Sequence, residues 1–282
     1  MKITIARHAG YCAGVRRAIR LAERAADQDA EAVFTLGPLI HNPRVVAALQ
    51  KRGMGQASSP ADLPPGATVV LPSHGTPPDV IIALQSRGMQ IIQAACPRVL
   101  KVHERVKQAL EQDRVVYLAG DPGHTEVAAM AGMDPTRVHV ISSPEQVSQA
   151  AAGEPALLSS QTTFSRARFE HIRDTLVKNH PNLEVFDSLC GHTLKAQQAA
   201  ADLARDCNIM IVVGGGNSAN TRRLCEACHA QGARVRRVQG AADLRRRMFR
   251  PEDQVGITAG ASTPPEHIRE IADWLCARFE ID

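Results

Sequence analysis

Three cysteines stand alone in Gly/Pro-rich turns: Cys12 in Ala9-Gly-Tyr-Cys-Ala-Gly14, Cys96 in Ala94-Ala-Cys-Pro97 and Cys190 in Ser188-Leu-Cys-Gly-His192. They are 84 and 94 residues apart. That spacing suggests one thiolate from each of three similar-sized units, meeting at a shared centre. Three thiolates without a fourth leave one iron of a cubane iron–sulfur cluster open to a substrate oxygen. The competing reading is three unrelated loop or core cysteines, since free cysteine is commonly a small buried apolar residue.

Histidine turns lie between and beside these cysteines: Gly37-Pro-Leu-Ile-His-Asn-Pro43, Pro72-Ser-His-Gly-Thr-Pro77, Gly123-His-Thr-Glu-Val127 and Cys190-Gly-His192. His41, His74 and His124 each follow an apolar, strand-like run, which is where α/β folds place functional groups. A satisfied structural histidine is the alternative at each. Glu126 stands two residues after His124. In an irregular or strand-like turn the two would project to one side, an acid and an imidazole aimed together for proton delivery. Ser159-Ser-Gln-Thr-Thr-Phe164 ends another strand with hydroxyls, so Thr162 and Thr163 either orient a substrate or cap the next helix.

Ile209-Met-Ile-Val-Val-Gly-Gly-Gly-Asn-Ser-Ala-Asn-Thr-Arg-Arg223 reads as a buried strand, a glycine turn and a helix start. Backbone N–H groups there bind anions, helped by the helix dipole, with Ser218 and Asn220 adding hydrogen bonds. The Gly-Lys-Ser/Thr of a Walker A loop is missing, and so is dinucleotide-fold glycine spacing. Val255-Gly-Ile-Thr-Ala-Gly-Ala-Ser-Thr-Pro-Pro265 repeats the design around Ser262. Both serines also fit simple helix capping. With the histidine turns, they suggest a polyanionic ligand such as a diphosphate. Cys225-Glu-Ala-Cys228 lies on a predicted helix and reads as packing, since no second pair completes a zinc site. Cys207 and Cys276 read as core residues.

The elements that must position these turns follow from periodicity. Short apolar strands alternate with amphipathic helical stretches over the 282 residues, which predicts an α/β fold of βαβ units with parallel sheets. Predicted strands include Ile3–Ala6, Val33–Thr35, Thr68–Leu71, Ile91–Ala94, Val115–Ala119, Ala156–Ser159, Ile209–Val213 and Gln254–Thr258. Three βα-rich thirds, 1–93, 94–186 and 187–269, each begin near a cysteine turn, and a C-terminal helix within 270–282 is expected to join the first.

Composition narrows the class. Hydrophobic content is 44% and charged content 22%, ordinary for a globular protein. No run reaches the roughly 18 apolar residues of a membrane span, and the N-terminus reads as a strand without a signal-peptide core. Seven cysteines without a disulfide framework fit a reducing cytoplasm. A net charge of +4 with nine aromatic residues argues against nucleic acid. The basic runs Arg234-Val-Arg-Arg237 and Arg245-Arg-Arg247 read as solvated faces or as a docking patch for an acidic partner.

Taken in order, the turns resemble the 4-hydroxy-3-methylbut-2-enyl diphosphate reductase family, also called IspH or LytB. The motifs are Gly-Tyr-Cys-Ala-Gly-Val, Gly-Pro-Leu-Ile-His-Asn, Ser-His-Gly, Ala-Cys-Pro with Lys101-Val-His103, Gly-His-x-Glu-Val, Gln-Thr-Thr, Cys190, Asn-Ser-x-Asn-Thr and Thr-Ala-Gly-Ala-Ser-Thr-Pro. The resemblance implies a trefoil of three α/β units around a central [4Fe-4S] cluster held by Cys12, Cys96 and Cys190. It assigns His41, His74, His124, Thr162, Ser218, Asn220 and Ser262, with the Ala219 N–H, to an allylic diphosphate, and Glu126 to proton delivery. The reaction it implies is reductive dehydroxylation to isopentenyl and dimethylallyl diphosphate, with a ferredoxin or flavodoxin as electron donor. This chain departs from the family at Arg16 (Asp expected), Ala95 (Thr), Thr125 (Pro), Ala196 (Arg), Gly216 (Lys) and Ala219 (Ser). An iron–sulfur paralogue with another substrate, a non-catalytic cluster-binding sensor and a cluster-free phosphosugar-binding protein stay open as alternatives.

Overall fold

The structure, a computed structural model, describes residues 1–29, 32–149 and 154–281; the last residue of the expected 270–282 segment lies outside them. In chain order the elements are β1 (Lys2–Ile5), α1 (Ala13–Asp29), β2 (Val33–Leu36), α2 (Pro43–Lys51), β3 (Gly55–Ala57), β4 (Thr68–Val70), α3 (Pro78–Ser86), β5 (Gln90–Ile92), α4 (Pro97–Glu111), β6 (Val115–Ala119), α5 (Thr125–Ala131), β7 (Val138–Ile141), β8 (Ala156–Ser160), α6 (Arg166–Asn179), β9 (Leu183–Val185), α7 (Gly191–Asp206), β10 (Ile209–Val213), α8 (Ala219–His229), β11 (Arg234–Val238), β12 (Gln254–Ala259) and α9 (Pro265–Cys276).

The strands form three four-stranded sheets, ordered β1-β12-β10-β11, β3-β2-β4-β5 and β7-β6-β8-β9. Every strand pair is parallel, as the expected βαβ alternation requires. Central strands of parallel sheets are buried on both faces: β10 is an unbroken apolar run, and all five residues of β10 and of β8, the latter ending in Ser159 and Ser160, are buried. Helix α1 buries a stripe of small residues, Ala18, Ala22, Ala25 and Ala26, at the spacing of one helical face.

Strand β1, expected in the first third, instead pairs with β12, Ile3 opposite Val255. The C-terminal helix packs on that same sheet, where Ile268, Ile271, Leu275 and Phe279 share a core with Ile211, Val213 and Ile257. A two-sided central strand such as β12 needs a partner on each edge, and the N-terminal strand supplies one. Strand β3 is an addition: Gly55-Gln-Ala57 has no apolar alternation and is a strand because β2 pairs with it.

The chain divides into two compact units. The first comprises residues 1–15, 41–43 and 191–282, with the β1-β12-β10-β11 sheet. The second comprises residues 16–40 and 44–190, with the other two sheets.

Candidate active site

The loops that follow the strands carry most of the expected site residues, and Glu126, Ala219 and Asn220 stand in the first turns of the helices those loops enter. Carboxyl ends of parallel strands leave backbone groups and following helix N-termini for binding, so side chains there are placed by the sheet rather than by the loop.

In the second unit the groups are welded by hydrogen bonds. The Cys96 N–H donates to the Ser73 carbonyl at 3.0 Å, which joins the second cysteine turn to the His74 turn. Gly75 beside His74 has φ +93, and a Cβ there would lie 2.8 Å from the His103 ring, so glycine is required at this position. Arg17 donates to the carbonyls of Gln93 and Ala95 and holds the approach to Cys96. Burial lowers the His103 pKa to about 4, so that ring is neutral at physiological pH.

Glu126 is 2% exposed. Its carboxylate accepts the Thr162 N–H at 2.7 Å and the Thr162 hydroxyl at 2.9 Å. Desolvation raises its pKa from 4.5 to about 7, against the lowering effect of the two Thr162 bonds. A carboxyl group half protonated near neutrality suits a general acid. Thr162 in turn accepts the Cys190 N–H on its carbonyl at 2.8 Å.

His124 and Glu126 are not aimed together by strand alternation. His124 caps α5, and its Nδ1 accepts the Glu126 N–H at 3.2 Å. That bond leaves the ring proton on Nε2. Thr163 does not cap α6. It accepts the Gln161 amide, while Ser165 caps α6.

In the first unit the Cys12 N–H donates to the Ala261 carbonyl, and its Sγ accepts the Val15 N–H at 3.4 Å. Ser262 donates its hydroxyl to the His41 carbonyl at 3.2 Å, and Asn42 donates to the Ser262 carbonyl at 2.8 Å. A Cβ on Gly215 would lie 2.9 Å from the His41 carbonyl oxygen, so the glycine turn can approach the histidine turn only without one. Burial lowers the His41 pKa. Ser218 caps α8 by accepting the Thr221 N–H. Asn220 is 5% exposed, and neither its Oδ1 nor its Nδ2 has a partner. A buried amide with both ends open is costly unless a ligand completes it. Ala219 and Asn220 occupy the first turn of α8, whose N–H groups lack intrahelical acceptors.

Arg98 escaped the sequence-based expectations, and Arg237 belongs to a run read from the sequence as a solvated face or a docking patch for an acidic partner. Arg98, two residues beyond Cys96, donates to the carbonyls of Ser188 and Leu189. Arg237 on β11 reaches the glycine turn, its guanidinium 3.4 Å from the Gly216 carbonyl. Register was the available signal for Arg237, which stands opposite Val212 near the end of β10. A cation therefore reaches the turn from the neighbouring strand although residue 216 is glycine.

Cys12, Cys96 and Cys190 are each partly exposed and stand immediately before α1, α4 and α7. Cys228 is the contrast: it is buried, and desolvation pushes its thiol up to about 12. Cys225 and Cys228 pack in the α7–α8–β10 core with Cys207, as expected of a helical pair. Cys276 was expected in the core and is exposed at the end of α9, because Ile271 and Leu275 take the buried face. Among the described residues no three His, Cys, Asp or Glu side chains group as a metal site.

Parallel four-stranded sheets whose strand ends carry histidines, partly exposed cysteines and a buried acid define an α/β protein with its candidate site at the carboxyl ends of its strands. The sequence pattern of the family described as LytB protein matches residues 3–276. A 4-hydroxy-3-methylbut-2-enyl diphosphate reductase of Geobacter sp. (strain M21) is 34% identical over 280 residues, 98% of each chain. The solved structure of (E)-4-hydroxy-3-methyl-but-2-enyl diphosphate reductase, the terminal enzyme of the non-mevalonate pathway, is 34% identical with a TM-score of 0.72, covering 98% of this chain and 99% of that one. The reductase from Plasmodium falciparum shares the fold with a TM-score of 0.93 at 23% identity, covering 99% of this chain and 91% of that one. The chain belongs to the LytB family.

Proposed function

We propose that the protein reduces 4-hydroxy-3-methylbut-2-enyl diphosphate to isopentenyl and dimethylallyl diphosphate. The observation that carries the reading is Glu126, a buried carboxyl held by Thr162 with a pKa of about 7. The reaction consumes two electrons and two protons; a carbon–oxygen bond breaks, a carbon–hydrogen bond forms and the hydroxyl leaves as water.

Cys12, Cys96 and Cys190 would hold a [4Fe-4S] cluster, which supplies single-electron transfer and a Lewis-acidic iron for the substrate hydroxyl. In the first unit, the open Asn220 amide, the Ala219 N–H, Ser218, Ser262 and His41 offer donors to the diphosphate. In the second, His74, His124 and Thr162 orient the substrate, and Glu126 delivers a proton. Arg237 adds charge beside the α8 N-terminus. Holding the allylic group in one geometry replaces a costly bimolecular encounter. Thiolate ligation fits a reducing cytoplasm, with a ferredoxin or flavodoxin as the electron source. No helix among the described residues is long and apolar enough to cross a membrane.

The test is anaerobic turnover of the hydroxylated diphosphate by iron-loaded protein with a chemical reductant. The two C5 diphosphates are the expected products. An intact cluster without turnover would instead favour a paralogue with another substrate.

A further inference from the structure

Helix α4 carries two arginines seven residues apart, Arg98 and Arg105, and both reach the strand and turn that lead to Cys190. Arg105 pairs with Glu184 on β9. Arg98 donates from Nε to the Ser188 carbonyl at 3.1 Å and from Nη2 to the Leu189 carbonyl. The turn is already fixed from its other side. The Ser188 hydroxyl donates to the Ser160 carbonyl at 2.7 Å and accepts the Ser160 N–H at 2.7 Å, and the Cys190 N–H bonds to Thr162. Packing of Val102 and Val106 with Leu157 and Phe186 seats α4 beside this strand, and Arg98 ties the first turn of α4 directly to the turn itself.

We infer that Arg98 is a positioning residue for the metal centre, setting the separation of the Cys96 and Cys190 turns. Its guanidinium is two residues from one cysteine and bridges the two carbonyls immediately before the other. The planar fork matches two successive carbonyls in a way that an ammonium group does not. The bridge also turns the carbonyl dipoles of Ser188 and Leu189 toward a cation and so offsets negative potential beside a bound cluster. This inference rests on the cluster reading proposed above.

The experiment compares wild type, Arg98→Ala, Arg98→Lys and Arg105→Ala after anaerobic reconstitution. The readouts are iron release to a chelator and the reduction potential of the cluster. Arg98→Ala is expected to release iron about tenfold faster, the effect of losing a charge-assisted bond pair, and to shift the potential negative. Arg98→Lys keeps the charge and reaches one carbonyl, so it should fall between. Arg105→Ala is expected to lower unfolding stability while keeping wild-type iron release. Wild-type release and potential in Arg98→Ala would overturn the inference, as would equally fast release in Arg105→Ala. If Arg98→Ala does not fold, Arg98→Lys behaving as wild type overturns it. Failure of the wild type to take up iron overturns the cluster reading itself, and this inference with it.

Discussion

Thr162 donates twice to Glu126, through its N–H at 2.7 Å and its hydroxyl at 2.9 Å, and accepts the Cys190 N–H on its own carbonyl at 2.8 Å. One loop residue thus sets the orientation of the acid and the backbone position of a candidate ligand. Moving either disturbs the other.

Glu126→Gln keeps the size and accepts hydrogen bonds but delivers no proton. Turnover should fall by about 100-fold or more, with iron content and substrate affinity near wild type. Stability adds a second readout. Folding raises the pKa from 4.5 to about 7, so the folded state holds this proton more tightly than the unfolded chain. The stabilising share is complete below pH 4.5 and is lost as pH rises through 7. The glutamine variant lacks that loss and should gain up to about 3 kcal/mol on wild type between pH 4.5 and pH 8. Urea unfolding of the cluster-free proteins across that range measures the difference.

Thr162→Val removes the hydroxyl and leaves the backbone donor. The lost hydrogen bond is one that lowers the Glu126 pKa. The midpoint of the acid-dependent limb of the pH–rate profile should therefore move up from wild type. An unchanged midpoint would assign the titration to another group.

Cysteine substitutions should sort by position. Serine at Cys12, Cys96 or Cys190 is expected to deplete iron after anaerobic reconstitution. Alanine at Cys207, Cys225, Cys228 or Cys276 should leave iron content intact, although the buried Cys228 will cost stability. Full iron retention in Cys190→Ser would remove it from the ligand set.

Arg237 offers a rescue test. Arg237→Ala should weaken binding of inorganic diphosphate several-fold, and the loss should shrink at high salt. A Cβ on Gly216 would stand 3.5 Å from the Arg237 guanidinium, so Gly216→Lys fits best once that side chain is truncated. In the double variant the new lysine should restore affinity. Unaltered binding in Arg237→Ala, read by calorimetry, would exclude the arginine from the anion site.

Much of this fold was legible because the signals are local. The five buried residues of β10 form a continuous apolar run ended by glycine, and the Gly/Pro turns mark where helices start. Strand β3 and helix α5 were not legible for the opposite reason. Gly55–Ala57 lacks a periodic pattern, and α5 is a seven-residue helix capped by a histidine rather than by a hydroxyl or amide. The pairing of β1 with β12 joins residues some 250 positions apart, beyond the reach of any local pattern.

The candidate site divides in the same way. Residue type and turn context alone singled out Cys12, Cys96, Cys190, His41, His74, His124 and Glu126, because metal binding and proton transfer need particular atoms. Whether Glu126 holds a proton near neutrality was decided only by the tertiary structure. Its proton affinity depends on water excluded by the surrounding fold and on Thr162, 36 residues away. Arg98 and Arg237 belong to the same class. Their chemistry is written in the sequence, but their partners lie about 90 and 21 residues distant. Such long-range contacts arise only when sheets and helices pack, and packing is what turns a row of reactive residues into a site.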